Sequence, residues 1–226
     1  MEFFNVLVQY FPSFIVALEE TLKLTIVSLL CATVLGVVFG LFKVSGIAAL
    51  RLIANIYIDI IRGTPLMVQT MIVFFGISQV ARPLGFTWGS IGGAFTAGAV
   101  TLSLNAGAYM AEIIRGGIEA VDKGQMEAAR SLGLPYGKAM SKVILPQAFR
   151  TMLPSIINQF IISLKDTSII SIIGIRELTQ NGRIIAANSA SRVMAIWLVV
   201  AAFYLVICTI LSKVALLVER RVSYGK

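Results

Sequence analysis

Two stripes of polar side chains run along segments that are otherwise apolar. At 100° per residue, the members of each stripe fall within about 80° of arc on a helix. One stripe consists of Thr101, Asn105, Tyr109 and Glu112, and the other of Ser155, Gln159, Ser163 and Asp166. Amides and hydroxyls can donate to a carboxylate, and an ionised carboxylate accepts from an ammonium group. This chemistry suits a free amino acid, which carries both charges.

Polar groups inside apolar helices are costly and usually face an interior or a cavity. The predicted substrate-binding residues are Asn105, Tyr109, Gln159, Ser163, Lys165 and Asp166. Asp166 would bind the ammonium, while the carboxylate would bind to amide, phenol or lysine donors. Lys165 points about 100° away from Asp166 on a helix. The alternative interpretation is a structural hydrogen-bond network between helices, and the two roles can overlap. Glu112 is expected to pair with Arg115.

The segments that carry these stripes are of membrane-spanning length. Apolar residues make up 58% of the 226-residue chain and charged residues only 13%. Four runs (24–42, 63–81, 83–111 and 193–212) contain no charged residue, and run 151–175 contains only Lys165 and Asp166. Each run approaches or exceeds the roughly 20 residues that cross a bilayer as a helix. We therefore predict an all-α integral membrane protein with five spanning helices. Thr64 and Pro65 predict a break in the second, with Thr64 as a helix cap.

Basic residues are unevenly distributed between the predicted loops. Thirteen lie on the side of the first loop and five on the other side, excluding Lys165. By the positive-inside rule, the N-terminus is outside and the C-terminus cytoplasmic. The net charge of +8 therefore reflects topology rather than nucleic-acid binding. The predicted organisation is an outer-surface segment at 1–20, a membrane domain at 21–222 with a cytoplasmic loop at 116–150, and a tail at 223–226.

The cytoplasmic loop contains a short predicted helix at 122–133. Asp122 fits its N-terminal cap, Gly133 fits a left-handed C-terminal cap, and Pro135 prevents continuation. A helix this short is marginal alone in water, so we expect a partner surface to stabilise it. Met126 and Leu132 are the expected apolar anchors.

This loop resembles the coupling loop of ABC-importer permease subunits. It carries EAA at 127–129, then Gly133 after three intervening residues, and Leu145-Pro146 at the family's spacing. Further segments resemble polar-amino-acid importer permeases of the histidine/glutamine type. They are RGTP at 62–65, NAGAYMAEIIRG at 105–116, ISLKDTS at 162–168 and IGIRELT at 173–179. The chain is thus identified as a type I ABC importer permease-like protein.

The resemblance implies both partners and a division of labour. The expected partners are two ATPase subunits, a second identical or homologous permease, an extracytoplasmic binding protein, a polar amino acid and membrane lipid. The expected ATPase-coupling residues are Gln125, Glu127, Ala128, Ala129, Arg130, Leu132 and Gly133. The resemblance also implies alternating access and residence in a prokaryotic cytoplasmic membrane.

The sequence gives little support for catalysis by this chain. It contains no phosphate-binding G-x-x-x-x-G-K-[ST] loop and no His, and its two cysteines lie in apolar runs. We therefore expect a non-catalytic subunit without a cofactor, with ATP and Mg bound by the partner ATPase. The leading prediction is an ATP-driven importer of polar amino acids, with a glutamine-like substrate favoured. The alternative is a secondary amino-acid transporter or channel subunit that ATP does not drive.

Overall fold

The computed structural model describes residues 2–223, with side chains up to residue 217, and no strand occurs in that range. The predicted tail at 223–226 lies outside the described residues except for the backbone of Ser223. The helices are α1 (Glu2–Val44), α2 (Ala48–Arg62), α3 (Leu66–Leu84), α4 (Gly93–Glu119), α5 (Lys123–Ser131), α6 (Tyr136–Ile173), α7 (Leu178–Ala187) and α8 (Val193–Ser223). Short 3₁₀ turns at Trp88–Ile91 and Ala190–Arg192 precede α4 and α8.

Helices α3 and α6 are not uniform. Each contains a π-helical turn, at Ile72–Gly76 in α3 and at Met140–Ile144 in α6, and each ends in a 3₁₀ turn. In this part of α3, two backbone carbonyl oxygens accept hydrogen bonds from the Nε1–H of the buried Trp88, that of Val73 at 3.2 Å and that of Phe74 at 3.1 Å. The loop before α4 is thereby fixed against α3.

Helix α1 covers both the predicted outer segment and the first predicted span without a break. The part before residue 20 is not a detached tail, because Val6, Phe14 and Ala17 are buried in one cluster with Leu178 and Ile196 of the last two helices. A 43-residue helix is about 65 Å long, more than twice the hydrocarbon thickness of a bilayer. Helix α1 therefore supports α7 as well as crossing the apolar layer.

Helix α4 packs closely against α1, because small residues of α1 let the two helices approach each other. A Cβ added at Gly36 would collide with the Cβ of Met110, and one at Gly40 would lie 2.9 Å from the Ile114 Cγ2. This contact is the close approach expected of a small-xxx-small motif. More than half of α4 is buried inside the protein, including its polar residues Thr101 and Asn105.

Among the residues that the structure describes, four helices are long and apolar enough to span a membrane: Glu2–Val44, Leu66–Leu84, Tyr136–Ile173 and Ala190–Leu217. Helix α4 is not among them, although its 27 residues extend about 40 Å. Its surroundings explain its lower hydropathy, because a helix covered by protein does not need a lipid-facing apolar surface. The predicted count of five spans and the orientation of the termini stay predictions.

The predicted helix break at Thr64-Pro65 is confirmed. Helix α2 ends at Arg62, Pro65 is extended, and α3 begins at Leu66. The prediction that Thr64 caps the next helix is wrong, because its hydroxyl donates back to the Ile60 carbonyl at 2.8 Å. The Gln69 amide instead bridges the break, donating to the carbonyls of Ile61 at 2.7 Å and Thr64 at 3.0 Å. Its two bonds satisfy backbone groups that the break exposes.

Candidate functional site

A cavity of about 640 Å³ opens where the α2–α3 break faces α4 and α6. Its lining combines the residues at the break between α2 and α3, two side-chain amides, one phenol and two side chains of opposite charge. The lining residues are Arg62, Gly63, Thr64, Pro65, Leu66, Asn105, Tyr109, Gln159, Ile162 and Asp166. Its volume is typical of a site for a small molecule. The two stripes therefore contribute to one cavity.

Arg62 and Asp166 are the formal charges in this lining. The Arg62 guanidinium carbon lies 5.4 Å from the centre of the Tyr109 ring, within cation–π range. Its Nη1 is 3.6 Å from an oxygen of Glu112, a loose ion pair, and 43% of its side chain is exposed. Asp166 is half-buried and makes no hydrogen bond or ion pair with the side chains described up to residue 217. One cation and one carboxylate are thus available to a ligand.

The amides of the stripes bind within the protein as well as lining the cavity. Asn105 donates from Nδ2 to the Gln69 Oε1 at 3.0 Å and thereby connects α4 to the helix break. Gln159 makes a long hydrogen bond of 3.4 Å to the Ser163 hydroxyl. Asn105 and Gln159 thus each hydrogen-bond within the protein and also line the cavity. The two interpretations of these residues are compatible.

An ion cluster centred on Glu112 lies next to the cavity. Its carboxylate pairs with Lys43 of α1 and, at 2.9 Å, with Arg115 of its own helix. The predicted Glu112–Arg115 pair is confirmed, and Arg62 is a third, more distant cation. Both oxygens of Glu112 are therefore engaged, which leaves Asp166 as the uncommitted carboxylate near the cavity.

The structure brings together four of the six predicted substrate-binding residues: Asn105, Tyr109, Gln159 and Asp166. Ser163 lies behind the wall, buried and bonded to Gln159. Lys165 does not line the cavity; its side chain is exposed, as its angular offset from Asp166 on the helix requires. The cation in the cavity is Arg62, which was not among the predicted substrate-binding residues. Its position directly before Gly63-Thr64-Pro65 was the signal, because a broken helix end tends to line a cavity.

The short helix α5 has the predicted caps. The Asp122 Oδ1 accepts from the Gly124 backbone N–H at 2.7 Å. Gly133 is left-handed, with φ of 84°, and its N–H donates to the Arg130 carbonyl at 3.0 Å. The Leu134 N–H donates to the Ala129 carbonyl at 3.2 Å, which completes a two-bond C-terminal cap.

Helix α5 has an inward and an outward face. Ala129, one of the predicted coupling residues, is buried, and Met126 is partly buried against the cluster beneath α5, so its role as a partner anchor stays a prediction. Leu132 is 84% exposed, which fits the anchor prediction. The other predicted coupling residues are exposed: Gln125, Glu127, Ala128, Arg130 and Gly133. An exposed leucine on a charged helix is a candidate contact for a partner.

Comparison with known proteins adds independent information. Residues 32–224 match the family described as "Binding-protein-dependent transport system inner membrane component". The chain is 40% identical to the arginine transport system permease protein ArtQ of Bacillus subtilis (strain 168), over 97% of each chain. It is also 40% identical to the glutamine transport system permease protein GlnP of Escherichia coli (strain K12), over 94% of each.

Solved structures share the fold. A crystal structure of an amino acid ABC transporter with histidines aligns with a TM-score of 0.87 and 43% identity, over 96% of this chain and 98% of that one. An inward-facing MetNI methionine ABC transporter aligns with a TM-score of 0.74 over 92% of this chain and 95% of that one. At 18% identity, the second likeness shows the fold alone.

Proposed function

The chain belongs to the inner membrane components of binding-protein-dependent transport systems and is a permease subunit of an ABC amino acid importer, and from that premise we propose that its 640 Å³ cavity binds a neutral polar amino acid, glutamine-like, during translocation. The observation that carries the proposal is the presence of one cation and one carboxylate, not paired with each other, in a wall that also contains amides, hydroxyls and the apolar side chains of Pro65, Leu66 and Ile162.

The charges match those of a zwitterion. The Arg62 guanidinium would bind the α-carboxylate with charge-assisted hydrogen bonds, and Asp166 would bind the α-ammonium. When a neutral amino acid is bound, both Arg62 and Asp166 then have an opposite charge beside them. Desolvating an unpaired charge is expensive, so this balance favours a ligand with no further ionised group.

The side-chain amide of glutamine has donors and an acceptor, as do the amides of Asn105 and Gln159. A basic amino acid would bring a second cation, while Glu112 is already paired with Lys43 and Arg115. A dicarboxylic amino acid would bring a second anionic group, whereas Arg62 is the cation in the lining and already binds the first. Among relatives named for arginine and for glutamine transport, the charge balance thus favours the glutamine-like substrate.

Coupling is proposed to run through α5. Its outward residues Gln125, Glu127, Ala128, Arg130 and Leu132 would contact a separate ATPase subunit that binds ATP and Mg. Movement of α5 would pass to α4, which precedes it directly, and to α6, which follows. Since α4 and α6 both line the cavity, their rocking would open it alternately to the two sides.

The proposed assembly contains two ATPase subunits, a second permease subunit and an extracytoplasmic amino-acid-binding protein. The permease pair would form the translocation path between its membrane domains. This chain itself would carry out no chemistry, since hydrolysis would occur in the ATPase.

The test is uptake by proteoliposomes that contain the purified complex. We expect ATP-dependent accumulation of labelled glutamine, competed by unlabelled glutamine and much less by equal concentrations of arginine or glutamate. Proteoliposomes with this chain but without ATPase should show no uptake. Uptake without ATPase would favour a secondary transporter, and stronger competition by arginine would contradict the charge argument.

A further inference from the structure

A second cavity, of about 350 Å³, lies beside the coupling helix. It forms where the end of α1 and the start of α2 meet the end of α4 and the starts of α5 and α6. Its apolar residues include Ile118, Met126 and Ile144, which belong to the cluster beneath α5. Its charged residues are Lys43, Arg51, Glu119, Asp122 and Lys123. It shares no lining residue with the proposed substrate cavity.

The charges of this second cavity are not all neutralised within the protein. Lys43 and Glu119 are each bound to another ionised side chain, and the Asp122 carboxylate caps the first turn of α5. Arg51 and Lys123 form no ion pair with any side chain described up to residue 217. Two cations therefore face this partly apolar cavity without an ion-pair partner among the side chains that the structure describes.

We propose that this second cavity is a binding site for a phosphate ester. Arg51 and Lys123 would bind the phosphate oxygens, because guanidinium and ammonium groups make strong charge-assisted hydrogen bonds to phosphate. Tyr136 also lines the cavity and has a hydroxyl that can donate. The apolar residues would contact the glycerol or the start of an acyl chain.

Two sources of the phosphate fit the surroundings. Lys43 lies in the last turn of α1, a helix of membrane-spanning composition, so the cavity lies at the end of an apolar span. A headgroup of an anionic phospholipid reaches such a level, where each nearby Lys or Arg strengthens binding about fivefold. A soluble phosphate ester could enter from the adjacent aqueous phase. Both would use the same two cations.

The test uses the intact purified complex and the double variant R51Q/K123Q. In nanodiscs containing phosphatidylglycerol and phosphatidylcholine, native mass spectrometry counts the anionic lipid retained by the protein. Removing both cations should weaken retention about 30-fold, which corresponds to about 2 kcal/mol at 1.4 kcal/mol per tenfold change. In a second arm, calorimetry measures glycerol 3-phosphate binding in nanodiscs of phosphatidylcholine alone.

Two matched variants separate this site from general surface charge. K138Q/K142Q removes two exposed lysines outside the cavity and should bind like wild type. R51K/K123R keeps both charges and should bind within a few-fold of wild type. If the double neutralisation prevents folding, judged by size-exclusion chromatography, the single variants should each lose about fivefold.

Loss confined to the lipid arm assigns the site to a headgroup, and loss confined to the glycerol 3-phosphate arm assigns it to a soluble ester. The proposal is overturned if R51Q/K123Q binds both ligands as well as wild type does, or if K138Q/K142Q loses as much as R51Q/K123Q. Neither readout depends on which amino acid is transported.

Discussion

Replacing Asp166 with asparagine tests whether the cavity binds an ammonium group. The variant keeps the size and polarity of the side chain but removes the uncommitted carboxylate of the lining. A hydrogen bond to a charged group contributes about 1.5–3 kcal/mol. Taking about 2 kcal/mol, we expect the dissociation constant for glutamine to rise about 30-fold.

The same reasoning predicts a smaller effect at Arg62. Its side chain is 43% exposed and shares its charge with Glu112 at 3.6 Å, so solvent and a competing partner weaken its contact with a ligand. We expect about 1 kcal/mol, or about fivefold, for Arg62→Gln. The order of the two effects follows from exposure and pairing, since both variants remove one charge.

Lys165→Gln is the matched control. It removes a charge directly next to Asp166 in sequence, but from a side chain that is exposed and outside the cavity lining. We expect a change of less than about twofold, as for an exposed charge.

The measurement is equilibrium dialysis of labelled glutamine against the purified complex without the binding protein, so that only the permease site is titrated. Melting temperatures of the three variants would exclude unfolding as the cause. Equal binding by Asp166→Asn and wild type would refute the ammonium contact. A loss at Lys165 as large as that at Asp166 would show that the geometric assignment is wrong.

Three further predictions concern coupling, packing and pH. Gly133→Val places a β-branched residue at φ of 84°, which costs about 1–2 kcal/mol, and should reduce co-purification of the ATPase. Gly137→Ala is the control and should not reduce it, because Gly137 lies in a helix and no atom is near the position of the added Cβ. Gly36→Leu should lower the melting temperature by several degrees through a steric clash with α4, while Gly46→Ala, with no atom near, should leave it unchanged. Burial raises the pKa of the Glu177 carboxyl in the folded protein above its usual 4.5, so the folded state holds the proton more tightly than the unfolded state does. The stability of the protein should therefore fall as the pH rises above 4.5 through that raised pKa. Glu177→Gln should flatten this part of a melting-temperature profile measured between pH 4.5 and 8. Each is contradicted if variant and control, or variant and wild type for the pH profile, behave alike.

Features that depend on neighbours along the chain were predictable from the residues alone. Apolar run length predicted membrane-spanning helices, and Thr64-Pro65 predicted the helix break, because proline restricts the backbone locally. The caps of α5 were predictable for the same reason, since Asp122 and Gly133 act within a few residues of their own positions. Helical periodicity also identified four residues that line the cavity.

Contacts between groups on different helices became known only from the folded arrangement. It brought Arg62 rather than Lys165 to the cavity, because the break places the end of α2 beside α4 and α6, while Lys165 points about 100° away from Asp166 and is exposed. It packed Met126 partly against a cluster formed by distant segments and left Leu132 exposed. A periodic pattern gives the angle of a side chain on its own helix, whereas the partner at that angle depends on how helices pack together.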